Sequence, residues 1–297
     1  MKCLVTGATG LIGQALTQRL VDPIVTSRRP EGLSPMSCIQ WPVTDTTPGP
    51  DDPIDVVFHL AGEPVAGSRW TQARMDAIRN SRIDGTRQLV SWMATWETTP
   101  KVLVCASAIG FYGDRGDEVL LEDSQPGSSF LADVCRDWES EAARARDLGI
   151  RVVFARIGIV LAEQGGALDK MVPPFKMGVG GPLGSGRQWM SWIHLDDVVG
   201  LLLHAAESDI SGPLNTVAPQ PSTNAEFSRV LAGQLRRPSF LRAPAFALRL
   251  GLGKMSDIVL ASQNVLPRVA EETGYVFQQP TLEGAIQSCL SGKGGRP

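Results

Sequence analysis

Apolar residues along this chain come in short blocks, and helical patterns lie between them. KCLVT (2–6), PIVTS (23–27), DVVFHLA (55–61), VLVCAS (102–107) and RVVFARIG (151–158) are apolar runs bounded by turn residues. Such runs read as strands buried on both faces. Between them, LIGQALTQRLV (11–21), the long stretch 70–96 and FLADVCRDWESEAARARDLG (130–149) carry apolar residues at helical spacing. The long stretch is expected to bend near Gly85, and 130–149 stops on Gly149, a helix-end signal. Strands alternating with helices predict an α/β fold, a doubly wound parallel sheet covered on both faces.

The texture changes near residue 160. Residues 173–198 are rich in Gly and Pro, then run into WIHL. DDVVGLLLHAAES (196–208) returns to helix, and LNTVAP (214–219) reads as a last core strand. From about Arg237 the chain is helical with Pro breaks, ending in GYVFQQPTLEGAIQSCL (274–290). The expected organisation is a nucleotide-binding domain over 1–160, rejoined by about 194–219. Residues 161–193 and 220–297 then form a smaller, mostly helical substrate lobe, with a C-terminal domain of its own at about 245–292.

Composition narrows the function classes. A net charge of −3 leaves no electrostatic footprint for nucleic acid. No run approaches the ~18 apolar residues of a membrane span, and KCLVTGATG lacks the parts of a signal peptide. No nucleic-acid or membrane partner is expected. Five widely spaced cysteines suggest neither a disulfide framework nor a metal site. A reducing, cytoplasmic location is the expectation.

TGATGLIG sits between the first strand and the first helix, with Gly7, Gly10 and Gly13. The first glycine permits the turn. The second lets the backbone approach a pyrophosphate, and the third lets the helix pack on the sheet. The free N–H groups and the helix dipole then receive phosphates. This is the Rossmann arrangement for a dinucleotide. An acidic residue at the end of the second strand would hold the ribose hydroxyls of NAD. Ser27, Arg28 and Arg29 stand there instead. Guanidinium groups match a phosphate dianion, so the expected cofactor is NADP(H).

TGATGLIG, HLAGE, SAIGFYG, RIGIVL and WIHLDDV, in this order, resemble the extended short-chain dehydrogenase/reductases, the NAD-dependent epimerase/dehydratase family. GGPLGSGRQWMSWIHLDDV, NTVAPQPSTNAEF and the tail from LRLGLGKMSD onward are similar to an atypical branch of it. That branch is called the epimerase family and has its own helical C-terminal domain. The resemblance implies a cofactor-binding set of Gly7, Thr9, Gly10, Leu11, Ile12, Gly13, Ser27, Arg28, Arg29, Leu60, Ala61, Gly62, Arg82 and Val160. Val160 would contribute backbone groups to the nicotinamide carboxamide. Arg82 replaces a family Asn, and it either reaches a cofactor phosphate or ribose or fixes its helix. A homodimer through 70–96 and 130–149 is the assembly that the wider family suggests.

The wider family moves protons with a Tyr and a Lys four residues on, because a free phenol at pKa ≈ 10 is a poor base near neutrality. Here only Tyr112 and Tyr275 exist, followed at that spacing by Gly116 and Gln279. In the expected helix stand Cys135, Trp138 and Glu139. A carboxylate beside a thiol raises its pKa, so Cys135 and Trp138 read as core. Met190 occupies the register of a family arginine that grips a substrate diphosphate, and Arg187 is close by. The candidate catalytic residues are Ser107 at a strand end, Tyr112 beside it, and Glu63 just after LAG. Arg69 and Trp70 are candidates for holding a small-molecule substrate, and His194 reads as a core histidine. Two functions follow from the sequence. One is an NADP(H)-binding, epimerase-like oxidoreductase lacking the Tyr-Lys pair. The alternative is an inactive NADP(H)-binding redox sensor or scaffold.

Overall fold

A computed structural model describes residues 1–32, 36–67 and 69–291. The end of the expected substrate lobe, 292–297, lies outside the described residues. The strands are β1 (Cys3–Thr6), β2 (Ile24–Ser27), β3 (Cys38–Gln40), β4 (Val56–His59), β5 (Val102–Ala108), β6 (Val119–Leu120), β7 (Arg151–Ile157), β8 (Ile159–Leu161), β9 (Trp189–Met190), β10 (Trp192–His194), β11 (Gly212–Thr216), β12 (Ser222–Thr223) and β13 (Asn264–Val265). The helices are α1 (Leu11–Thr17), α2 (Gln72–Met93), α3 (Phe130–Ala143), α4 (Leu168–Lys176), α5 (Leu195–Glu207), α6 (Asn224–Leu235), α7 (Ala245–Leu252), α8 (Ser256–Leu260), α9 (Arg268–Glu272) and α10 (Leu282–Ser291).

Seven strands form one parallel sheet in the order β11-β7-β5-β4-β1-β2-β3. The order reverses beside β1, which opens a crevice at the carboxyl ends of β1 and β4 where such sheets bind ligands. The apolar runs become strands because both faces are covered. Leu16, Val198, Val199 and Leu202 pack with Val5, Val25 and Phe58 on one face. Leu89, Trp92, Met93, Trp138 and Ala142 pack with Leu4, Val57 and Leu103 on the other. β3 is a three-residue edge strand with one exposed and two half-buried residues, too short and too open to register as an apolar run.

The helix expected at 70–96 starts at Gln72, because the Thr71 hydroxyl accepts from the Arg74 N–H and caps it. It runs unbroken past Gly85. α3 is capped the same way by Ser129 and passes into a 3-10 turn at Arg144–Leu148. Gly149 then stops it in the left-handed conformation.

A second core joins four separated segments. Leu161, Val172, Phe175, Trp192, Phe227, Leu231, Leu282 and Ile286 pack together. Parallel β8–β10 and antiparallel β9–β12 pairs frame this lobe. The C-terminal segment returns to the main domain by pairing β13 in parallel with β6. Asp197 then clamps residues beyond α9. Its carboxylate accepts from the N–H groups of Gln278 and Gln279 and from the Tyr275 hydroxyl.

Candidate functional site

The turn after β1 is shaped by contact. Gly7 has φ +74°, and a Cβ there would sit 2.7 Å from the Leu60 carbonyl. A Cβ on Gly13 would sit 2.2 Å from the Gly7 oxygen. Only glycine fits at both places. The N-cap of α1 is Gly10, which has no side chain to satisfy the first-turn N–H groups. Those donors are available to an anion. Gly7, Gly10, Leu11, Ile12 and Gly13 line a cleft of about 180 Å3 with Leu60, Ala106 and Ile157. The loop Gly165–Gly166 lies over Leu11, and Gly165 N–H is held by Asp169 Oδ2 at 2.7 Å. The residues present therefore suit a dinucleotide on sterics as well as charge.

The other expected cofactor residues fall at varied distances from that cleft wall. Thr9 is exposed and its carbonyl accepts from Gln14. Ala61 N–H donates to Thr6 Oγ1 at 3.2 Å, which ties the end of β4 to β1. Ser27 Oγ accepts from Arg29 N–H at 3.0 Å and closes a short turn. Arg28 and Arg29 are exposed, with no ion-pair partner among the described residues. Arg82 goes inward. Its guanidinium donates to the carbonyls of Glu63 and Ile78 and stacks over Trp138 at 5.1 Å. Gly62 is the floor under it. These bonds tie Arg82 to its own helix and to the loop after β4. Val160 lies in β8, and its carbonyl accepts from Ala167 N–H.

At the carboxyl ends of β5 and β7 a polar network fills the interior. Ser107 Oγ donates to Glu139 Oε1 at 2.7 Å. Arg156 grips both oxygens of Glu139, each at 2.9 Å. The same guanidinium donates to Tyr112 Oη at 2.9 Å and to the Glu122 carbonyl at 3.0 Å, and it stacks on Phe111. Tyr112 donates to Asn215 Oδ1 at 2.6 Å. Asn215 in turn donates to the Leu266 carbonyl. Glu122 Oε1 accepts from the backbone of Asn215 and Val269. Burial raises the pKa of Glu122, and its second oxygen has no partner. Ser107, Glu139 and Arg156 are all buried. Ala106 and Ile157, their chain neighbours, line the cofactor cleft.

Ser107 and Tyr112 thus meet in one network, while Glu63 stands apart from it. Its carboxylate is half-buried and bonded to Arg74 at 2.6 Å. Tyr112 is fully buried, and burial pushes its phenol up to about 12. Cys135 and Trp138 face the core, each 4% exposed. Burial first and Glu139 second push the Cys135 thiol up to about 11. Trp70 is buried edge-on against Phe130, and Arg69 donates to the Leu250 carbonyl. His194 is buried and caps α5 through Nδ1. In the lobe, Arg187, Trp189, Arg242 and Asp117 line an open cavity of about 690 Å3. Trp189 donates to Asp117 at 2.9 Å.

The Glu139–Arg156 pair, Glu122 and Asn215 had no sequence signal as site residues. Glu139 was visible only as a carboxylate beside a thiol. Its partner is 17 positions away on a strand, and Asn215 lies 93 positions from Glu122.

The profile described as "NAD dependent epimerase/dehydratase family" matches residues 3–217. A "Domain of unknown function (DUF1731)" matches 243–289. "Epimerase family protein YfhF" of Bacillus subtilis is 36% identical over 98% of each chain. The chloroplastic SDR39U1 homolog of Arabidopsis thaliana is 37% identical, over 98% of this chain and 87% of its own. The crystal structure of human epimerase family protein SDR39U1 with NADPH superposes with a TM-score of 0.89 at 32% identity, over 98% and 99% of the two chains. The parallel sheet, the glycine turn and these likenesses agree. The chain belongs to the NAD dependent epimerase/dehydratase family, among the SDR39U1-like epimerase family proteins that carry a C-terminal DUF1731 domain.

Proposed function

We propose that this protein is an NADP(H)-binding oxidoreductase of epimerase-like type in which Ser107 and Glu139 replace the tyrosine-lysine pair. The observation that carries this reading is the 2.7 Å bond from Ser107 to a carboxylate locked by Arg156, one residue from the cleft wall. The glycine turn would take the pyrophosphate. Arg28 and Arg29 would take the 2′-phosphate of NADP(H), as unpaired guanidinium groups suit a dianion. The NADPH in the human relative supports a nicotinamide cofactor here. When bound, that cofactor supplies hydride acceptance or donation.

The direction of the Ser107 bond selects a substrate. Its hydrogen already points to Glu139, so its oxygen is an acceptor for a third group. A substrate hydroxyl fits that role. As the carbon loses hydride, the hydroxyl proton passes to Ser107 Oγ and the Ser107 proton passes to Glu139. The reverse path protonates a carbonyl. Arg156 holds Glu139 in place, so the relay needs no rearrangement. Tyr112, bonded on both sides within the interior, takes no part in this path. A homodimer through the outer faces of α2 and α3 belongs to the same proposal, and light scattering tests it.

The test pairs binding with turnover. NADPH is titrated by fluorescence, then NADP with a panel of small alcohols is followed by absorbance. Ser107→Ala and Glu139→Gln are each expected to leave NADPH binding intact and to slow oxidation about 100-fold or more. Tight NADPH binding with no turnover of alcohols or carbonyls would sink the relay. It would then favour the second reading, a dinucleotide-binding protein without chemistry, for which the sealed Tyr112 network is the supporting observation.

A further inference from the structure

The helix α7 is poorly anchored for its composition. AFALRLGL has no buried residue. Ala245, Leu248 and Leu252 lie half-buried on its inner side. Phe246 and Leu250, one turn apart, are 73% and 78% exposed. Phe240 at 75% and Leu241 at 44% extend the patch. Large apolar side chains on the outward side of a helix are normally covered. Exposed large apolar residues this close together mark a contact surface rather than ordinary scatter.

Charge says what covers it. Between Glu226 and Asp257 the chain holds six basic residues and no acidic one, against a net charge of −3 overall. Arg236, Arg237, Arg242 and Arg249 are exposed, without ion-pair partners among the described residues. By helical spacing Arg249 shares the outer face with Phe246 and Leu250, and Arg242 precedes the helix in non-helical chain. A second copy docked by this face would oppose arginine with arginine, because a two-fold contact repeats the same patch. The occupant is therefore anionic. Phe and Leu side chains that protrude from an exposed helix suit a bilayer interface, which accepts them without a preformed cavity. Arginines then sit at headgroup level.

We propose that residues 236–254 are a docking element for the surface of an anionic lipid bilayer, with α7 lying in the interface. The sequence expectation of no membrane partner rested on the lack of a spanning segment. No helix among the described residues is long and apolar enough to span, and an interfacial helix does not need to be.

The test is flotation of the full chain with phosphatidylcholine–phosphatidylglycerol vesicles in equal parts and with pure phosphatidylcholine vesicles. Binding to the mixed vesicles only, weakened by salt, is expected. Phe246→Ser with Leu250→Ser is expected to weaken it more than about ten-fold. Arg242→Ser and Arg249→Ser are each expected to cost about five-fold. Thermal unfolding should be unchanged in all of these, since none of the four is buried. Three results overturn the proposal. The first is no binding to mixed vesicles at low salt. The second is binding that ignores all four substitutions. The third is self-association by light scattering that the Phe246 and Leu250 substitutions abolish. An acidic partner protein in place of lipid would show itself by the first result.

Discussion

The two ends of the candidate site treat charge in opposite ways. At the dinucleotide turn, backbone donors and two arginines are left without partners at the surface. Around Ser107, nearly every polar atom is bonded and dry. Unpaired cations in solvent cost the fold little, and they hold their full charge for a ligand. A buried carboxylate and guanidinium must hold each other, because either alone would be a desolvated charge. So one end of the site should lose binding when mutated and keep its stability. The other should lose stability first.

The sharpest break is Arg156→Met. It strands the Glu139 carboxylate and removes donors from Tyr112 and the Glu122 carbonyl. A loss of about 3–5 kcal/mol in urea unfolding is expected. A loss below about 1 kcal/mol would mean that the network is solvated.

Next comes Arg28→Ala. We expect NADPH affinity to fall about ten-fold or more, as charge-assisted bonds contribute about 1.5–3 kcal/mol. NADH affinity and thermal stability should not move. Equal loss for both dinucleotides would show a general electrostatic effect in place of 2′-phosphate recognition.

His59 contrasts with the surface groups. It is buried between Thr6 Oγ1 and Thr86 Oγ1, and burial pushes its pKa down from 6.5 to about 3. The folded state keeps it neutral while the unfolded chain takes up the proton. Its contribution is intact above pH 6.5 and is lost as pH falls toward 3. In that window each pH unit costs about 1.4 kcal/mol. Urea unfolding of the wild type should therefore fall more steeply with acid than that of His59→Gln. Parallel slopes would place the histidine in contact with water.

The smallest effect belongs to Glu63→Gln. Its ion pair with Arg74 is half-exposed, so stability should change by less than about 1 kcal/mol. If turnover collapses all the same, Glu63 is a base and the relay through Glu139 is the wrong assignment.

Much of this was legible in the chain because it is local. The glycine turn, the arginines after β2 and the alternation of runs each occupy a few consecutive residues. Their physics is that of backbone conformation and burial. Capped helix starts at Thr71 and Ser129 sharpen boundaries that periodicity alone left loose. The network around Ser107 was not legible. Its members come from β5, the 3-10 turn after it at Ile109–Tyr112, α3, β7, β11 and the loop after β6, and no short pattern links them. In the sequence Glu139 was visible only by its spacing from Cys135. Only the parallel register of β5 and β7, with Ser107 beside Arg156, brings its true partner into reach.

The pairing of β13 with β6 carries a consequence for how the protein is made. A chain leaving the ribosome folds from its N-terminus as residues emerge. The seven sheet strands are all present once Thr216 is out. Asn215 and Glu122 must still wait for the Leu266 carbonyl and the Val269 N–H. A nascent chain is thus expected to acquire its nucleotide turn early and its sealed interior last. Protease resistance around Tyr112 would then appear only after the DUF1731 segment has been synthesised.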